Sequence, residues 1–218
     1  MKHNLKNEIP VLFIAILPFV YLLMIWDTLP DVIPTHWNFY GEIDNYGKKE
    51  TLLWIPFLLP ILTYIIFLVV PFIDPKRKLQ NMGDKLTKLK FAITFIMSVL
   101  ALFIIHSTKQ QELNPNFLTI LIGVLFAVLG NFFPTIKPNY FIGIRVPWTL
   151  NDEENWKQTH HFAGKLWLIG GISIVIYGLI SNPEMNNLFF LFTTILIVII
   201  PTIYSYRLYQ KDKKTTQE

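Results

Sequence analysis

Apolar residues along the chain fall into six long runs, at residues 9–26, 52–73, 89–106, 117–134, 166–180 and 188–206, with polar and charged residues gathered between them. A helix that crosses a hydrocarbon core of about 30 Å needs about 20 apolar residues. Most of the runs approach that length. The fifth is shorter and draws on the turn Phe162-Ala163-Gly164-Lys165 before it. Lipid offers no partner to a bare N–H or C=O, so each run is predicted to be helical. The expected fold class is all-α: a polytopic membrane protein, a six-helix transmembrane bundle with short structured polar connectors. The first run lacks a small-residue cleavage signature, and aromatic and acidic residues follow it directly, so it reads as a retained helix. Residues 1–73 hold the first two spans and the loop between them; residues 74–218 hold four further spans. Prolines at 18, 56, 60 and 201 lie within spans. Pro56 and Pro60 stand one turn apart and predict the sharpest bend, as packing geometry or as a polar cavity opened by freed carbonyls.

Composition excludes a water-soluble domain. The 218 residues are 52% hydrophobic and only 16% charged, with a mean hydropathy of +0.42. There are no cysteines, which excludes disulfides, thiolate metal sites and cysteine nucleophiles. A net charge of +4 does not point to direct nucleic-acid binding here, because the basic residues flank apolar runs. With both termini placed in the cytoplasm, sixteen of the 19 Lys and Arg fall on the cytoplasmic side; Lys48, Lys49 and Lys109 fall outside. That bias predicts cytoplasmic termini and an external segment at 27–50 in a bacterial cell membrane. Seven acidic residues on the external segments give that face a net charge of −4, which attracts cationic ligands, each exposed charge being weak and screened.

The external segment PTHWNFYGEIDNYGKKE concentrates candidate chemistry. Prolines and glycines set extended and tightly turned backbone. Trp37, Phe39, Tyr40 and Tyr46 suit an interfacial belt. His36, Asp44 and Glu50 are residue types that bind divalent metal or move protons, but they lack a dense ligand spacing. The segment reads as a compact lid on the membrane surface or as a recognition site for a ligand or peptide, with His36, Trp37, Asn38, Asp44 and Glu50 as its candidates. No metal or cofactor is assigned.

The second informative connector, residues 137–165, is KPNYFIGIRVPWTLNDEENWKQTHHFAGK. Its later half predicts a helix capped by Asn151 or Thr149, with Asp152, Glu153 and Glu154 in the first turn. Trp156, His160, Gly164 and Trp167 recur at helical spacing, and the helix is expected to run along the membrane surface before turning into the fifth span. Arg145 is expected to pair with Glu153 or Glu154, or to hold a phosphate or lipid headgroup. His160 and His161 point about 100° apart on a helix and do not share a metal. Asn131 is placed to hydrogen-bond to another span. Asn139, Arg145, Trp148, Trp156 and His160 are this connector's candidate site residues.

Two stretches resemble known families. Pro34, His36, Trp37, Asn38, Gly41, Asp44 and Gly47 resemble a short domain of unknown function that often precedes membrane segments in Gram-positive proteins. Asn139, Gly143, Arg145, Pro147, Trp148, Thr149, Trp156, His160, Gly164 and Lys165 resemble the core signature of the SdpI family of bacterial immunity proteins. The second resemblance implies resistance to a secreted antimicrobial peptide that acts on the membrane. It also implies signalling, in which a transcriptional repressor is held at the membrane while toxin is present. The partners so implied are a peptide at the outer face, a cytoplasmic repressor and membrane lipids. The resemblance carries no catalytic residues, and no enzyme activity is expected. The alternatives are a small transporter or metal-dependent membrane enzyme, and a structural or stress-related membrane protein. Few ionisable groups inside the spans, with His106 and Asn131 the notable polar ones, argue against proton-coupled transport.

Overall fold

The computed structural model describes residues 5–75 and 78–215. Lys2, Lys76 and Arg77 of the charge count lie outside the described residues. Six helices are long and apolar enough to cross a membrane, as the hydropathy pattern predicts, and the chain is an all-α membrane protein. The spans are α1 (Leu5–Ile25); the broken helix α2 (Trp54–Pro56) to α3 (Leu62–Ile73); α4 (Asp84–Gln110); α5 (Pro115–Phe132); α7 (Glu153–Ile180); and α8 (Pro183–Thr215). A short α6 (Pro147–Asn151) precedes α7. The bend in the second span is a π-helical turn at Phe57–Ile61 with Pro60 inside it. Proline has no N–H to give the carbonyl four residues back, and the helical register slips by one to accommodate it.

The helices associate in two groups, by different means. The first and third spans, α1 and α4, run parallel and are tied by polar bonds at three levels. Lys90 pairs with Glu8, Ser98 Oγ donates to the Ile14 carbonyl at 2.7 Å, and Tyr21 Oη lies 3.1 Å from His106 Nδ1. Interhelical polar bonds of this kind hold membrane helices where lipid removes the hydrophobic drive. By contrast, α5 and α7 run antiparallel, and their backbones touch. A Cβ on Gly164 would stand 2.7 Å from the Gly130 carbonyl oxygen, and one on Gly171 would stand 2.5 Å from that of Gly123. Small residues at both crossings permit this approach. The eighth helix closes against α7, where Trp167 Nε1 donates to the Ile197 carbonyl at 2.8 Å.

One end of the bundle carries an antiparallel hairpin of β1 (Val32–Trp37) and β2 (Ile43–Lys48). Its register slips around Thr35 and His36. Gly41 makes the turn with a φ of 85°, its backbone N–H donating to the Asn38 carbonyl. The hairpin is anchored by Ile33, which is fully buried among Leu22 and Ile25 at the end of α1, Leu29 just beyond it, Leu52 at the start of the second span and Ile105 on α4. At the opposite end a second core joins Leu79, Met82 and Leu86 to Phe133, Ile136 and Trp156.

Three expectations are corrected. The sequence predicts a surface helix that turns into the fifth span, but the chain forms one continuous 28-residue helix from Glu153. Its cap is neither Asn151 nor Thr149. Asp152 accepts from the backbone N–H groups of Glu154 and Asn155, and Asn151 instead ends α6. Asn131 is exposed and makes no interhelical bond among the described residues. The interhelical asparagine is Asn186, whose amide donates to Asn116 Oδ1 and Thr119 Oγ1.

Candidate functional site

The candidate residues gather in two clusters, one at each end of the bundle, separated by three crossings of the chain. At the hairpin end, His36 and Trp37 on the irregular strand β1, and Asn38 just after it, face a cavity of about 630 Å³. Its other walls come from Ile104 on α4, Leu118, Thr119 and Ile122 on α5, and Asn187 with Phe190 on α8. The cavity therefore opens between the two helix groups, with the hairpin as its roof. Asn187 fastens that roof by donating to the Phe39 carbonyl at 2.6 Å.

Asn38 shapes the hairpin tip. Its Oδ1 accepts from the backbone N–H of Tyr40 and Glu42, and its Nδ2 donates to Glu42 Oε2. His36 Nδ1 lies 2.5 Å from Asp44 Oδ1, so these two candidates are brought together across the strands. Glu50 sits in the turn after β2, outside the cavity lining. Trp37 Nε1 is buried with no hydrogen-bond partner among the described residues. The cavity lining is largely apolar, with Thr35, His36, Asn38, Thr119 and Asn187 as its polar members.

At the other end, the second connector folds into a knot whose polar atoms are largely satisfied internally. Asn139, fully buried, accepts from the N–H groups of Phe141 and Ile142 and donates to the carbonyls of Lys137 and Ile142. Gly143 follows with a φ of 112°, a conformation that suits glycine, and any Cβ there would collide with His160 Nε2. His160 is buried and stacked on Trp156 with ring centroids 4.0 Å apart. Its Nε2 accepts from the Ile144 N–H at 3.0 Å, so that nitrogen carries no proton; Nδ1 then donates to the Trp156 carbonyl at 2.8 Å. Trp156 Nε1 donates to the Ile136 carbonyl. Thr149 Oγ1 accepts from the Val146 N–H.

Trp148 reaches α8, where its Nε1 donates to Ser205 Oγ at 2.8 Å and its ring packs on Tyr206 and Tyr209. Asn155, absent from the sequence candidates, donates to the Ser205 carbonyl and accepts from Thr159. Its place one residue before Trp156 was the available signal. The expected ion pair of Arg145 with Glu153 or Glu154 is replaced. Arg145 Nη1 donates to the Tyr140 carbonyl at 2.7 Å, Glu153 pairs with Lys78, and Glu154 faces Lys157. The sharp reversal at Gly143 directs Arg145 back toward its own loop.

Sequence reasoning also missed a buried ionic cluster. Lys90 donates to both carboxylate oxygens of Glu8, at 2.5 and 2.7 Å, and Tyr64 Oη donates to the same carboxylate at 3.0 Å. The only signal was an acid and a base each standing at the edge of an apolar run. Among the described residues, no three His, Asp or Glu are placed to hold a metal ion.

Fold and end-caps together define a six-span helical membrane protein with a signature-bearing knot at one end and a hairpin-roofed cavity at the other. Residues 135–205 match the model of the SdpI/YfhL protein family. Residues 13–59 match that of a domain of unknown function, DUF1648. The chain is 26% identical to the immunity protein SdpI of Bacillus subtilis over 208 residues, which covers 95% of this chain and 98% of that protein. It is 28% identical over 143 residues to an uncharacterized protein of Archaeoglobus fulgidus, covering 53% of this chain and 77% of that protein. No solved structure matches the chain.

Proposed function

We propose that the chain is a multi-pass immunity protein that protects its cell from a secreted membrane-active peptide. The observation that carries this reading is the similarity to an immunity protein over nearly the full length of both chains. The peptide meets the hairpin end, which faces outward, while both termini lie in the cytoplasm. The 16-to-3 bias of basic residues supports that orientation. The cavity beneath β1 takes an apolar segment of the peptide, and the acidic residues Asp31, Glu42 and Asp44 of the hairpin favour cationic flanks. Support for this assignment comes from the largely apolar lining.

A second function, recruitment of a transcriptional repressor, belongs to the knot at 139–160. Its supporting observation is Arg145, exposed on the connector with its guanidinium held at one edge by the Tyr140 carbonyl.

The test is survival of sensitive cells producing the protein, across a panel of secreted membrane-active peptides. Protection against at least one is expected. In that background Arg145→Ala is expected to keep survival and membrane abundance and to lose repressor co-localisation. If verified membrane-inserted protein protects against none of the panel, the immunity reading is wrong.

A further inference from the structure

Lys157, His161 and Lys165 follow one another at four-residue intervals on α7 and so lie along one face of that helix. All three are exposed. They line a cavity of about 520 Å³, together with Gln158, and its remaining walls are Pro134, Phe162 and Tyr204. The Phe162 and Tyr204 rings pack 4.6 Å apart, closing the space between α7 and α8. The row of cationic and imidazole side chains covers about 12 Å of helix. Lys165 stands immediately before the apolar run at 166–180, so the cavity straddles the boundary between polar and hydrocarbon depth.

One carboxylate lies near. Glu154 Oε2 is 4.0 Å from Lys157 Nζ, and Glu154 Oε1 accepts from Gln158 Nε2 at 2.9 Å. Glu154 sits one turn toward the helix start, outside the lining, and offsets part of the Lys157 charge. Among the described residues, no carboxylate forms an ion pair with Lys165 or His161. A cavity with two ammonium groups and an imidazole on one wall and two aromatic rings on another is matched to an anion with an apolar attachment. Lysine serves as a point-charge partner for phosphate.

We propose that this cavity binds a phosphate-bearing anion, held by Lys157, His161 and Lys165, with Phe162 and Tyr204 against its apolar part. The proposal is independent of the toxin reading, since it concerns the other end of the bundle and its test uses no toxin. The phosphate has two sources, an anionic lipid headgroup or a soluble phosphate.

The full-length protein, stripped of lipid in neutral detergent, separates them. Retention of phosphatidylglycerol and of phosphatidylcholine is read by native mass spectrometry, and inorganic phosphate binding by calorimetry. The triple variant Lys157→Gln, His161→Gln, Lys165→Gln is compared with the wild type and with Lys137→Gln, an exposed lysine outside the cavity.

Loss of phosphatidylglycerol affinity by about tenfold or more in the triple variant alone, with phosphatidylcholine unchanged, assigns the site to an anionic lipid. An equal loss for inorganic phosphate assigns it to a soluble anion. Wild-type protein that binds neither probe overturns the proposal. So does a triple variant that binds like the wild type, or a Lys137→Gln control that loses as much. Because the three side chains are exposed, an unchanged melting temperature of the triple variant is the check that folding is intact.

Discussion

Lys90→Ala is expected to lower stability by about 3–5 kcal/mol, enough to remove most folded protein from the membrane. The Lys90 side chain is only 4% exposed and that of Glu8 14%, so neither charge has water to fall back on. Removing Lys90 leaves the Glu8 carboxylate with Tyr64 as a remaining donor, and leaves a gap between α1 and α4. The double replacement Glu8→Gln with Lys90→Met is expected to recover most of the loss, because it removes both charges while keeping the volume. Size-exclusion profiles and thermal melts of detergent-extracted protein give the readout. If Lys90→Ala extracts and melts like the wild type, the ion pair is not what joins these helices at that end.

Gly130→Val is expected to be about as damaging for a different reason. A Cβ at Gly130 would press on the backbone of α7 at Trp167 and Leu168, and a backbone cannot move aside as a side chain does. The α5–α7 crossing would have to widen, at a cost near the upper end of overpacking, about 3 kcal/mol. Gly83→Ala serves as the comparison for glycine replacement without crowding, since a Cβ there meets nothing within 4 Å, although its φ of 55° carries a smaller strain. Equal melting temperatures for the Gly130 variant and the wild type would show that α5 and α7 do not pack backbone to backbone.

These two weak points also mark what the sequence could and could not convey. Hydropathy alone located all six spans, because a membrane helix must be apolar along its length whatever it packs against. Pro56 with Pro60 announced the bend, since proline removes a hydrogen bond wherever it stands. The hairpin was not legible as strands. Its alternation is broken by Pro34, by the slip near His36 and by a fully buried Ile33 whose partners come from the first three spans and their connectors. The Glu8–Lys90 pair was hidden because 82 residues separate its members, and each alone looks like an ordinary charge flanking a span.

The signature residues were legible as a group but not in their roles. Nothing in the order Asn139, Gly143, Arg145, Trp148, Trp156, His160 says that Asn139 and His160 hold the loop, or that Arg145 turns back to Tyr140. The cavity at the hairpin end was the least legible, being assembled from the hairpin and from helices far apart in the sequence.

The claim that the hairpin-roofed cavity faces outward and receives the peptide has one direct test. The chain has no native cysteine, so single cysteines report cleanly. Thr35→Cys lines the cavity and is exposed; Asn81→Cys is exposed at the other end of the bundle. In intact cells, an impermeant thiol reagent is expected to label the first and not the second. A synthetic copy of a peptide whose killing the protein suppresses is expected to slow labelling at Thr35→Cys several-fold. Labelling of Asn81→Cys in place of Thr35→Cys would contradict the account, as would labelling at Thr35→Cys that the peptide leaves unchanged at protective concentrations.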